Sequence, residues 1–217
     1  MTALRNLQRQ LADIIPGARL EPTVLPGCPE ICLYLLNADY PQEALAASTV
    51  QRVMDNPLYW TFCWASGQVL AAHLLRHPER VADRRVLDFG CGSGVVSIAA
   101  ALAGAGEVIA CDHDPFALAV TERNAALNGV RVQLASDFDS LAGPIELITA
   151  ADVLYDRENL PWLTRFLRRA DEVLVADSRL KSFNYPAYSE IARQVSLTVP
   201  DLDESSEFRE VRVYLSH

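Results

Sequence analysis

The chain has 217 residues, half of them apolar, with 19 basic and 28 acidic residues for a net charge of −9. That length supports one sizeable core, and so one domain with an appendage. The acidity argues against nucleic acid, whose binding depends on neutralising phosphates. No apolar run reaches the roughly 18 residues that cross a bilayer, and no signal-peptide core opens the chain.

In "MTALRNLQRQLADIIPG" the residues Leu4, Leu7, Leu11 and Ile14 recur at helical spacing, with arginines on the other face. With Asp13 present, this reads as an ordinary amphipathic helix rather than a targeting segment. A strand at "ICLYLL" and a helix at "QEALAASTVQRVMD" are expected next, followed by the aromatic "NPLYWTFCWASGQVLAAHLL", which leads into a helix. Residues 1–59 are thus expected to form a helical appendage packed on a domain spanning 60–217.

From residue 85 the pattern alternates. Strands are expected at "RVLDFG", "EVIACD", "VRVQLAS", "IELITAADVLY" and "DEVLVADS". Helices are expected between them, one with Asp114 as N-cap, Pro115 at its first position and Gly129 past its end. Continuous apolar strands of this kind need cover on both faces, which indicates a doubly wound, mostly parallel α/β sheet. The chain then breaks the alternation. "QVSLTVP" and "REVRVYLSH", joined by the acidic "DLDESSEF", predict a closing antiparallel hairpin and seven strands in all.

Cys28, Cys32, Cys63, Cys91 and Cys111 show no paired metal-type spacing, so a reducing, cytoplasmic setting is expected. His73 and His77 share a helix face, but no further ligand is near in sequence, and no metal site is expected.

The chemistry gathers at "VLDFGCGSG". A strand runs into Asp88 and then Gly90, Gly92 and Gly94, a loop that lets backbone approach a ligand closely. A dinucleotide fingerprint, G-x-G-x-x-G counted from Gly90, would need glycine where Val95 stands. The charge of Asp88 at the loop's mouth would also repel a pyrophosphate. A carboxylate there suits a ligand bearing an ammonium and a sulfonium, as S-adenosylmethionine does. Asp112 ends the second strand, 24 residues beyond Asp88, where it can grip both ribose hydroxyls; NAD would accept the same grip. Asp137 follows the third strand, placed for an adenine amino group, with Phe138 against the ring.

"LDFGCGSG…CDHDP…SDFD" resembles the class I, seven-strand S-adenosylmethionine-dependent methyltransferases over roughly residues 60–217. A closer resemblance is to the lysine methyltransferases of the electron-transfer flavoprotein β subunit, within a wider group of protein lysine and N-terminal methylases. It rests on "YWTFCWASGQVLAAHLL", similar to an aromatic segment ending in W-P-G-G-Q, and on "DVLYD", similar to D-x-F-Y-[DE]. Ala65 and Ser66 replace the Pro-Gly of the first motif, and Leu154 the Phe of the second. The resemblance implies a Rossmann-like fold, S-adenosylmethionine as cofactor and a protein lysine as acceptor.

An amine acceptor needs a neutral lone pair, whereas free lysine titrates near pH 10.4. Desolvation lowers that value, and carboxylates can orient the amine and pass its proton to water. "TAADVLYD" ends the fourth strand at the sheet's switch point. Asp152 is expected to point into the cleft, with Tyr155 and Asp156 rimming it. Trp60 and Trp64 are candidate walls for the cofactor, and Gln68 a candidate partner for its carboxylate, with Ser66 an N-cap. Asp201, Asp203, Glu204 and Glu207 are candidates to attract a basic substrate surface. The reading is an N-methyltransferase acting on a protein lysine, candidate acceptor the electron-transfer flavoprotein β subunit. Small-molecule amine or pyridine (nicotinamide-like) methylation and a non-catalytic partner subunit remain alternatives.

Overall fold

A computed structural model describes residues 2–40, 53, 57–180 and 183–217. The expected helix over 42–55 lies, apart from Val53, outside the described residues.

The amino-terminal helix α1 (Thr2–Ile14) buries Leu7 and Leu11. It leads into an antiparallel hairpin of β1 (Leu20–Leu25) and β2 (Cys28–Leu36), so the appendage, expected to be helical with one strand, contains two strands. The expected strand "ICLYLL" is the inner part of β2. Its partner β1, "LEPTVL", holds Pro22 and shows no regular apolar alternation, which left it without a sequence signal. A short 3-10 turn, Tyr59–Thr61, precedes α2 (Ala65–Arg76).

Strand and helix then alternate through β3 (Arg85–Phe89), α3 (Val95–Leu102), β4 (Glu107–Cys111), α4 (Pro115–Leu127), β5 (Gln133–Ala135) and β6 (Ile145–Ala151). The chain continues with α5 (Pro161–Arg169), β7 (Ala170–Asp177), β8 (Tyr188–Val195) and β9 (Glu210–Ser216). The local signals act as expected in α4: Asp114 accepts from Phe116 N at 2.8 Å, Pro115 opens the helix, and Gly129 turns at φ +69°.

The seven strands lie in the order β5-β4-β3-β6-β7-β9-β8. β9 is antiparallel to both neighbours and the other pairings are parallel. One face packs Val86, Leu147, Leu174 and Val213 against α2, α3 and the hairpin. The other packs Leu87, Ile148 and Val175 against Leu163 and Phe166 of α5. The chain's order reverses between β3 and β6, which opens a crevice at their carboxyl ends.

One strand is displaced from its expected position. β8 covers 188–195 rather than 194–200, because both of its faces are largely exposed and carry no apolar alternation. The apolar positions that did attract attention serve elsewhere: Val199 leaves the sheet and pairs with Cys63 through two 2.8 Å hydrogen bonds.

The hairpin is fastened to the domain by α4. Asn128 Oδ1 accepts from Cys32 N at 2.9 Å and Asn124 Oδ1 from Tyr34 N at 2.7 Å, while Asn128 Nδ2 donates to Cys32 O at 2.6 Å. Four residues apart on one helix face, the two amides bond the backbone of β2 as a neighbouring strand would.

Candidate active site

Between β3 and α3 the chain passes through Gly90, Gly92 and Gly94 at φ +70°, +52° and +83°. Two of the three are glycine for want of room. A Cβ on Gly90 would stand 2.7 Å from Val153 Cγ1, and one on Gly94 would stand 2.8 Å from Thr121. Gly92 differs, since a Cβ there would meet only Gly90 O at 4.0 Å. It is the loop's open position, where a ligand can lie against backbone.

Asp112, just past β4, is locked onto this loop. Its Oδ2 accepts from Gly92 N at 3.0 Å and its Oδ1 from Asp114 N at 3.0 Å. Each oxygen keeps a further acceptor site, so the carboxylate is fixed and still able to take a pair of hydroxyls. The glycine loop and the acid of the next strand form one assembly.

Asp88 is turned away from the loop's mouth. Expected at the mouth of the loop, it is 2% exposed and lies beneath it. Its Oδ2 accepts from Ser97 N at 3.0 Å and Ser97 Oγ at 2.6 Å, and its Oδ1 from Thr149 Oγ1 at 3.2 Å. It caps the start of α3 from below. Burial pushes its carboxyl up to about 6 against those hydrogen bonds.

Across the crevice, Asp152 follows β6 in a left-handed conformation, φ +51°. Ser66 N and Ser66 Oγ donate to it at 3.0 and 2.6 Å, and Ser178 Oγ at 3.0 Å. Ser66 is therefore the second residue of α2 and a donor to Asp152; the N-cap position belongs to Trp64. Burial raises the Asp152 carboxyl, with Ser66 opposing most strongly. Tyr155 is 57% exposed, its ring 5.8 Å from that of Tyr59, which is itself 5.8 Å from Trp64. These three rings form a rim. Burial raises the Tyr155 hydroxyl, with Tyr59, Asp156 and Asp112 adding to the shift, which sets the rim close to the β4 acid. Asp156 is exposed and closes the turn that follows, accepting from Glu158 N at 2.9 Å.

Other expected contacts fall elsewhere. Trp60 is 1% exposed and packs with Phe116 and the α1 residues Leu7 and Leu11, so it walls the appendage and not the crevice. Gln68 is 2% exposed and bonded at both ends of its amide, accepting from Gly27 N at 2.8 Å and donating to Leu197 O at 2.9 Å. Phe138 is drawn into an aromatic cluster with Phe89, Trp162 and Phe166, where burial outweighs any role at the surface. Asp137 beside it is exposed, its Oδ1 accepting from Asp139 N at 3.0 Å. The acidic stretch is laced with its own cations: Glu204 pairs with Arg179 and accepts from Thr198 Oγ1, and Arg209 lies 4.0 and 3.8 Å from Asp201 and Asp203.

Three consecutive residues at the end of β7, Asp177 to Arg179, belong to the site and were not expected. Asp177 is 3% exposed, and its Oδ1 accepts from Arg179 N and Leu180 N, both at 2.7 Å. Ser178 holds Asp152. The Arg179 guanidinium lies 4.4 Å from the Phe208 ring and 5.9 Å from that of Trp64. The signal was present: "VLVADS" ends a buried strand in a carboxylate, as "VIACD" and "ITAAD" do.

Gly92 and Asp112 fit a nucleoside with a free ribose diol and require no phosphate contact. The family model of the ribosomal protein L11 methyltransferase (PrmA) matches residues 72–154. An electron transfer flavoprotein beta subunit lysine methyltransferase of Danio rerio is 38% identical over 128 residues, 55% of this chain and 49% of that protein. The chain thus spans about half the length of this curated relative. Among solved structures, a ribosomal protein L11 methylase from Lactobacillus delbrueckii subsp. bulgaricus superposes with a TM-score of 0.51 at 23% identity, covering 70% of this chain and 78% of that one. The magnesium protoporphyrin IX methyltransferase of Synechocystis PCC 6803, with bound SAM, gives 0.53 at 18% identity, covering 82% and 86%. The fold is that of the class I methyltransferases.

Proposed function

We propose that this chain is an S-adenosylmethionine-dependent N-methyltransferase acting on lysine side chains of a protein, with the electron-transfer flavoprotein β subunit as candidate acceptor. The observation that carries the reading is the fixed pairing of Asp112 with the open Gly92, close to the Tyr155 rim. Asp112 would hold the ribose and Gly92 the adjoining backbone face, while the bound cofactor would supply an activated methyl group. The chain's own contribution is placement. Methyl transfer to an amine needs an in-line approach and a neutral nitrogen, and a rigid crevice supplies the first. A carboxylate at the crevice that takes the proton as general base supplies the second.

A protein acceptor is favoured over a small amine or pyridine by the rim, where Tyr59 and Tyr155 are 47% and 57% exposed. The relationship to lysine methyltransferases of the flavoprotein subunit favours the same side.

The test is transfer of labelled methyl from S-adenosylmethionine into purified flavoprotein β subunit and into a cell lysate split by size. With a single lysine, Lys181, the enzyme contributes little self-labelling. Label in a protein band, lost with Asp112→Ala, supports the reading. Label confined to the small-molecule fraction moves the assignment to an amine or pyridine methylase. Failure to bind the cofactor at all would leave a non-catalytic subunit.

A further inference from the structure

Two carboxylates, Asp177 buried and Asp152 partly buried, stand at the ends of neighbouring strands on the acceptor side, and their hydrogen bonds differ. Asp152 follows β6 and Asp177 ends β7, adjacent across a parallel ladder in which Ala151 pairs with Ala176 and Asp152 N donates to Ala176 O at 3.0 Å. Asp152 is engaged at both oxygens: Ser66 N donates to Oδ2, and Ser66 Oγ and Ser178 Oγ donate to Oδ1, so an incoming amine would share an oxygen that already holds α2. Asp177 is the reverse case. Its Oδ1 caps the turn after β7, whereas Oδ2 is buried and has no hydrogen-bond partner among the described residues. A buried acceptor left without a donor costs stability, and such atoms in native folds call for an explanation.

We propose that Asp177, rather than Asp152, is the carboxylate that receives the acceptor amine, through Oδ2. This rests on the amine-methylation reading above and names the residue that meets the substrate nitrogen.

The surroundings suit that task. Asp177 stands opposite Arg212 in the β7–β9 ladder, which puts both side chains on one sheet face, and it immediately precedes Ser178. The residue after it, Ser178, and its ladder partner Arg212 line a cleft of about 390 Å³ with Leu180, Ser206, Glu207 and Glu210, which adjoins the buried Asp177. Burial and the charge of Asp152 push the Asp177 carboxyl up to about 6, opposed by its backbone hydrogen bonds and by Arg179. An ammonium beside it forms a desolvated ion pair, and in a dry site the neutral pair is the cheaper form. One N–H bond of the ammonium breaks and one O–H bond forms at Oδ2, leaving the nitrogen lone pair free. The proton then passes to water in the cleft.

The experiment compares Asp177→Asn and Asp177→Ser with the wild type. Asparagine keeps an Oδ1 to cap the turn, and serine also caps turns, so both remove the charge while preserving local structure. The readouts are kcat and KM for the flavoprotein β subunit, the melting temperature, and the thermal shift induced by S-adenosylhomocysteine. The expected result is kcat/KM lower by about 30- to 100-fold, as for losing a hydrogen bond between charged partners, with an unaltered shift. Asp177→Glu should restore part of the loss. A purely structural turn cap predicts kcat/KM within threefold of wild type in a variant with a normal shift, and that result overturns the proposal. A wild type that binds S-adenosylhomocysteine but labels no protein or amine overturns the amine-methylation reading, and this inference with it.

Discussion

Ser66 meets the Asp152 carboxylate twice, by amide and by hydroxyl, and so ties the start of α2 to the end of β6. Asp152→Ala should therefore lower stability by about 2–4 kcal/mol, the sum of a lost cap and lost bonds to a charged group. Asp152→Asn should cost less, because asparagine tolerates the left-handed backbone at φ +51°. Urea melts of the two variants check the order; an alanine variant as stable as the wild type would separate Asp152 from the support of α2.

Asp112→Ala should abolish the thermal shift produced by S-adenosylhomocysteine. Removing a charged acceptor that takes two hydroxyls weakens binding by about 100-fold or more. Titration calorimetry gives the direct value, and retained tight binding would remove Asp112 from the ribose site.

The three loop glycines should respond unequally to alanine. Gly94→Ala forces a Cβ to within 2.8 Å of Thr121 at a positive φ, and should destabilise by about 2 kcal/mol or more. Gly92→Ala meets open space and bears only the conformational cost, about 1–2 kcal/mol, so it should fold while losing cofactor affinity. Melts and titrations on the two proteins check the contrast.

His73 provides a pH signature remote from the crevice. It is 6% exposed, its Nε2 has no partner among the described residues, and its ring lies 4.6 Å from that of His77. Burial, with His77, Arg80 and Arg76 adding to it, lowers its pKa to about 4. The unfolded chain, with an ordinary value near 6.5, takes up the proton first as pH falls. His73 thus withdraws stability progressively from about pH 6.5 down towards 4, by about 2 kcal/mol between pH 7.5 and 5. His73→Leu should lose correspondingly less over that interval. Asp88 and Asp177, both raised, act in the opposite direction over pH 4 to 6 in both proteins, so the comparison between variant and wild type isolates the histidine. Equal losses in the two would exclude the effect.

The legible parts of this chain were those in which one physical cause dominates. Asp114, Pro115 and Gly129 bracket α4 because caps act locally, and the buried strands declare themselves by unbroken apolar runs. The loop glycines and Asp112 stood out for the same reason, as residue types that a tight turn and a strand end demand. What sequence could not supply was the direction of a side chain. Asp88, Gln68, Trp60 and Phe138 lie near the crevice in sequence, yet each turns inward to satisfy a helix start, a hairpin turn or an apolar cluster. Asp177 carries the same strand-end signal as Asp112 and Asp152, but what sets it apart is an oxygen without a partner, and no string of letters records that. β8 escaped notice because an exposed edge needs no pattern.

The two asparagines of α4 have a further consequence, for solubility. An open strand edge offers a row of donors and acceptors on which another chain can assemble. By bonding Cys32 and Tyr34 of β2, Asn124 and Asn128 close that row with side chains, which cannot be extended into a sheet. The β2 edge of the hairpin thereby offers no template for aggregation, and its protection depends on two amide groups.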